Sequence, residues 1–160
     1  MADVRLTRRY RFSAAHRLHS DLLSEEQNND VYGKCNNPHG HGHDYVMDVS
    51  VRGDVDPVRG RLLSIDALDL FVQTVVLNNF DRRNLNVEVG EFATLVPTTE
   101  ALAQVIARRL SEAWAVTFRG NAARFEKLRI WETRNNIFEI LAQDAVRLEQ
   151  EFDEISQSRS

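Results

Sequence analysis

Cys35-Asn36-Asn37-Pro38-His39-Gly40-His41-Gly42-His43-Asp44-Tyr45 runs directly into Val46-Met47-Asp48-Val49-Ser50-Val51-Arg52. In the second half Tyr45, Met47, Val49 and Val51 alternate with Val46, Asp48, Ser50 and Arg52. A strand sends successive side chains to opposite faces, so this pattern predicts a strand from about His43 to Val55. Carried back through the glycines, the same alternation puts His41 and His43 on one face. Two imidazoles side by side are half of a zinc site, and a third ligand with an open fourth position makes such a site catalytic rather than structural. The stretch also holds the only cysteine of the chain and three of its five histidines.

The third ligand candidate is His16, which follows an arginine-rich stretch, Asp3 to Ala15, that reads as a first strand. An all-histidine set suits zinc, with cobalt, nickel or iron as alternatives. The residues alone leave a plainer reading open, in which the histidines are surface or hydrogen-bonded core groups and Gly40 and Gly42 mark a flexible loop.

With 160 residues the chain has the length of one domain with a real core. Its 42% hydrophobic and 28% charged content is that of an ordinary globular protein, and a net charge of −4 gives no overall attraction to nucleic acid or acidic membranes. An anionic substrate would therefore need a local basic pocket. A single cysteine excludes an internal disulfide framework, and without a signal peptide the expected location is cytoplasmic. No apolar run reaches membrane-spanning length.

Between the first two strands, residues 19 to 42 read as one long polar connection, and long ordered loops in compact domains are commonly functional. A helix is predicted from about Asp66 to Asn78, with Leu68, Val72, Val75 and Val76 on one side. A second begins at Thr98, after Pro97 and with Glu100 in its first turn, and carries Leu102, Val105, Ile106, Leu110 and Trp114 as an apolar stripe. Leu128, Ile130 and Phe138, Ile140 mark two further strands. The order β-β-α-α-β-β predicts an α+β fold, a four-stranded antiparallel sheet with both helices on one face. Beyond it, Leu141, Ala145, Leu148, Phe152 and Ile155 recur at steps of four and three, the seam of a C-terminal amphipathic helix.

Phe12-Ser13-Ala14-Ala15-His16-Arg17-Leu18, Gly33-Lys34-Cys35-Asn36-Asn37-Pro38, His41-Gly42-His43-Asp44-Tyr45, Asp81-Arg82-Arg83-Asn84-Leu85-Asn86, Thr98-Thr99-Glu100 and Trp131-Glu132-Thr133-Arg134-Asn135-Asn136 together resemble the 6-pyruvoyl-tetrahydropterin synthase family. The related 6-carboxytetrahydropterin synthases share much of the pattern. The resemblance implies the tunnelling fold for residues 1–140, with residues 141–160 as an added helix and tail. It also implies a homo-oligomer, usually a hexamer of two trimers, with pterin sites between subunits and no nucleic-acid or membrane partner.

The chemistry implied is the conversion of 7,8-dihydroneopterin triphosphate to 6-pyruvoyl-tetrahydropterin with loss of triphosphate. In that reading His16, His41 and His43 bind Zn2+, Cys35 is the base, Glu132 anchors the pterin ring, and Thr98 and Thr99 lie near it, unless they only cap the helix. Arg8, Arg9, Arg17 and Lys34 are triphosphate candidates by charge alone. The family's relay of cysteine, aspartate and histidine falls on Cys35, Asp81 and Arg82, and the last is a departure. A guanidinium stays protonated and cannot pass a proton on, although its charge could favour a thiolate. His39, where the synthases usually have asparagine, could take over the relay. It also allows a second ligand spacing, Cys35 with His39 and His41, which resembles the carboxytetrahydropterin enzymes. Three functions follow: the pyruvoyl-type lyase, a 6-carboxytetrahydropterin synthase-like enzyme of deazapurine (queuosine) biosynthesis, or a pterin-binding paralogue with little turnover because of Arg82.

Overall fold

A computed structural model describes residues 3–145. The chain opens with β1 (Asp3–His16), which lies antiparallel along the whole of β2 (His41–Asp54), from Asp3 opposite Asp54 to His16 opposite His41. Between them the expected polar connection contains a helix, α1 (Glu25–Tyr32), and a 3-10 turn, Gly33–Asn36. The helix has no apolar stripe, and Asn28 is its only buried residue, so hydrophobic periodicity had nothing to report. Its start was nevertheless written locally. Ser24 accepts from the Gln27 N–H while the Gln27 side chain accepts from the Ser24 N–H, a reciprocal capping box.

After β2 the chain forms α2 (Ile65–Val72), which continues through a π-helical turn, Gln73–Leu77, into α3 (Asn78–Phe80). Then come the two-residue β3 (Arg83–Asn84), the short α4 (Leu85–Glu88) and the long α5 (Thr99–Thr117). The hairpin of β4 (Arg124–Trp131) and β5 (Ile137–Leu141) completes the sheet.

The sheet is five-stranded and mixed, in the order β3-β1-β2-β4-β5, not four-stranded and antiparallel. The extra strand is β3, which runs parallel to Ala14–Ala15 of β1. Two side chains cannot show a period, so it has no sequence signature. It is placed by backbone contacts: Arg82, at φ 59°, donates its N–H to the Ser13 carbonyl at 2.6 Å, and Asp81 Oδ1 accepts from the Ser13 N–H at 2.9 Å.

The alternation read in β2 holds. Tyr45, Met47, Val49 and Val51 are buried against Phe12 and Ala14 of β1 and Phe125, Leu128 and Ile130 of β4. Leu68, Phe71, Val72 and Val76 of the α2 segment and Leu102, Val105, Ile106, Leu110 and Trp114 of α5 close the same core, so both main helices cover one face. The opposite face is polar, with Arg9 paired to Asp48 and Thr7 to Ser50 across β1 and β2. Residues 142–145 are helical and Ala145 is buried in the core. Leu148, Phe152 and Ile155, the rest of the expected C-terminal seam, lie outside the described residues. Among the described residues no helix is long and apolar enough to cross a membrane.

Candidate active site

Antiparallel register brings the histidines together. His16 is the last residue of β1 and stands opposite His41, the first of β2, while His43 stands opposite Ala14. All three lie on the helix-covered face by the period of two. Gly40 makes the approach possible: its φ is +68°, and a Cβ there would sit 2.8 Å from the His16 carbonyl oxygen. The ring centroids are 4.6 Å apart for His16–His41, 4.7 Å for His41–His43 and 5.1 Å for His16–His43.

His16 is buried, and its Nδ1 lies 2.8 Å from the Pro97 carbonyl. A carbonyl only accepts, so Nδ1 carries the proton and Nε2 keeps its lone pair. His16 Nε2 is 3.0 Å from His41 Nε2, and His43 Nε2 is buried with no hydrogen-bond partner in the protein. One ligand atom from each of the three lies within 4.8 Å of the others. Tetrahedral zinc with Zn–N bonds of about 2.0–2.1 Å holds its nitrogens roughly 3.3 Å apart, so small side-chain adjustments suffice for a fit. Burial lowers the pKa of both His16 and His41, which favours the neutral, ligating form. His39 is exposed and outside this group, its N–H held at 3.0 Å by Asn37 Oδ1 in a turn.

Glu132 follows directly on β4 and reaches the cluster. Its Oε1 accepts from the Thr99 hydroxyl at 2.7 Å and lies 3.6 Å from His43 Nε2, and the side chain is only 19% exposed. A carboxylate so placed is not an ordinary solvated strand residue. The neighbouring threonines divide their roles: Thr98 caps α5, accepting from the Ala101 N–H, while the buried Thr99 faces the site.

Cys35 is a half-buried free thiol in the 3-10 turn before β2, its carbonyl accepting from the Leu18 N–H at 2.8 Å. The residue after it is clamped. Buried Asn36 accepts from Arg17 Nη2 at 3.1 Å and His19 Nδ1 at 2.8 Å, and donates to Asn29 Oδ1 at 2.8 Å. Arg17 Nε also donates to the Asn36 carbonyl at 3.0 Å.

Asp81 and Arg82 lie on the β3 edge of the sheet, bonded to Ser13. Arg82's side chain is 89% exposed beside a cleft of about 510 Å³ lined by Ser13, Asp44, Arg83 and Glu88 among others. Among the described residues no hydrogen bond or ion pair joins either to Cys35. Of the basic candidates, Arg8 is bound to Asp69 and Arg9 to Asp48, Arg17 serves the Asn36 clamp, and Lys34 shares the turn of Cys35.

Tyr45, beside His43, and the Asn36–His19 pair, next to Cys35, went unread. Tyr45 had a usable signal, since it lies two residues past His43 and so on the same face. Asn36 and His19 had none, because their pairing crosses a loop whose closure is not local.

Residues 5–143 match the family described as 6-pyruvoyl tetrahydropterin synthase. The chain is 44% identical over 132 residues to the 6-pyruvoyl tetrahydrobiopterin synthase of Poecilia reticulata, covering 82% of this chain and 86% of that one. It is 38% identical over 135 residues to that of Homo sapiens, covering 84% and 89%. The structure of Caenorhabditis elegans 6-pyruvoyl tetrahydropterin synthase superposes with a TM-score of 0.80 at 39% identity, covering 88% of this chain and 96% of that one. A Plasmodium vivax synthase at 15% identity and a TM-score of 0.64 shares the fold. With the motifs in collinear order and the three histidines converging at one end of the sheet, the chain belongs to the 6-pyruvoyl tetrahydropterin synthase family.

Proposed function

We propose that this protein is a zinc-dependent lyase that converts 7,8-dihydroneopterin triphosphate to 6-pyruvoyl-tetrahydropterin with loss of triphosphate. The observation that carries the reading is the His16, His41 and His43 cluster with Glu132 beside it in a member of this family. His16, His41 and His43 would hold the zinc, which supplies Lewis-acid polarisation of a substrate oxygen and so acidifies the adjacent C–H. Glu132, oriented by Thr99, accepts from the pterin's ring N–H and amino group. Cys35 takes the proton from side-chain carbon.

Asp81 and Arg82 act on Cys35 from a neighbouring copy, since within their own subunit, among the described residues, they bond to Ser13 and to each other at the β3 edge and not to Cys35. The active assembly is therefore a homo-oligomer, a hexamer on the family's pattern. Arg82 favours the thiolate by its charge, and His39 exchanges the proton. The test is triphosphate release from 7,8-dihydroneopterin triphosphate by zinc-loaded protein. Pterin binding without release would point instead to the paralogue with little turnover, the reading that Arg82 specifically favours.

A further inference from the structure

We infer that Tyr45 is a substrate-contacting residue, whose hydroxyl donates a hydrogen bond to a lone pair of the bound pterin between the ring edge held by Glu132 and the histidine cluster. Tyr45 stands on the inner face of β2, two residues past His43, and is 1% exposed. Its ring stacks on Phe12, with centroids 5.1 Å apart and planes at 20°, so packing fixes where the hydroxyl points. Yet that oxygen is buried with no hydrogen-bond partner in the protein. A buried hydroxyl without a partner is destabilising, and folded proteins keep few of them. A second such atom, His43 Nε2, belongs to the metal cluster.

The surroundings say what the hydroxyl is for. The His43 ring is 5.7 Å from the Tyr45 ring, and the polar groups acting on the phenol are Glu132, Thr99 and Cys35. Thr99's hydroxyl also lies near the phenol, but it donates its one proton to Glu132 Oε1 at 2.7 Å, and the phenol is left without a partner in hydrogen-bond geometry. The phenol thus lies among the ring anchor, the base and the metal ligands. This inference rests on the pterin-lyase reading and adds a contact to it.

The chemistry gives that contact a role. When the Cys35 thiolate takes a proton from the side-chain carbon next to the ring, one C–H bond breaks and one S–H bond forms. The electron pair stays on the pterin and spreads onto the conjugated ring nitrogen and side-chain oxygen. A fixed neutral donor stabilises charge developing there without giving up its own proton.

The experiment is Tyr45→Phe, which keeps the ring and its stacking on Phe12 and removes only the O–H. The expected result is a fall of about tenfold or more in kcat/KM, as for loss of a buried donor to developing charge. Zinc per subunit should be unchanged, and the thermal midpoint equal to or above that of the parent, because an unpaired buried group has gone. A kcat/KM within about twofold of the parent overturns the inference. So does a lower midpoint with activity lost only in proportion to unfolding, the mark of a hydroxyl that serves the fold. If the parent protein itself releases no triphosphate, the lyase reading fails independently. Fluorescence titration with 7,8-dihydroneopterin then decides Tyr45: tenfold weaker binding in Tyr45→Phe upholds the contact, and equal affinity overturns it.

Discussion

Replacing Glu132 with glutamine separates the ring anchor from everything else in the site. The amide keeps the volume and one carbonyl oxygen, so the Thr99 hydroxyl retains its acceptor at the present 2.7 Å. It loses the charge and turns an N–H₂ toward the pterin, where the carboxylate presented a second acceptor. One charge-assisted hydrogen bond of about 1.5–3 kcal/mol is lost. At about 1.4 kcal/mol per factor of ten, pterin affinity should fall roughly ten- to a hundredfold. The metal should stay, because Glu132 approaches His43 only to 3.6 Å and is not one of the three converging histidines. Thr99→Val should give a smaller loss, and the double variant should lose less than the sum, since both changes act through one carboxylate. Fluorescence titration of a pterin gives the affinities, and elemental analysis gives zinc per subunit. A pterin Kd within about twofold of the parent in Glu132→Gln, or zinc lost in step with affinity, would refute the reasoning.

Four further outcomes are expected. His43→Ala should lose most of the bound zinc and His39→Ala none, as measured on protein dialysed against metal-free buffer; the reverse pattern would move the ligand set to Cys35, His39 and His41. Cys35→Ala should abolish triphosphate release, Arg82→His should change it modestly, and His39→Asn should reduce it well below the parent. Mixing inactive Cys35→Ala with inactive Asp81→Asn should restore part of the activity if one copy supplies Cys35 and another Asp81. Glu91, held by Arg109 at 2.7 and 2.8 Å, has its pKa lowered, chiefly by that hydrogen bond. Its contribution is therefore complete above the ordinary carboxylate range and is lost as pH falls through its lower folded value. Glu91→Gln should thus lower the thermal midpoint by a few degrees at pH 7, with the difference from the parent closing as the buffer is taken below about pH 4.

How much of this was legible depends on the distance over which each feature is decided. Side-chain alternation is a property of the extended backbone itself, so β2 could be read from Tyr45 to Val51. The same rule put His41 and His43 on one face before any partner was known. Helical spacing did likewise for Leu102 to Trp114, and Thr98 announced a cap that the structure uses. The capping box at Ser24 and Gln27 was equally local, though it went unread because no apolar stripe followed it.

Tertiary structure alone decided what joins residues far apart in the chain. The Pro97 carbonyl fixes the His16 tautomer across 81 residues, and Thr99 orients Glu132 across 33. The two-residue β3 exists only because Ser13 offers its backbone groups to Asp81 and Arg82, which also carries that pair to a sheet edge. The unpaired Tyr45 hydroxyl is of the same kind, since a sequence shows which face a side chain takes but not whether its polar atom meets a partner there. Periodicity is fixed by a few backbone angles, whereas these contacts follow from how the loops close and which surfaces the packed helices leave open.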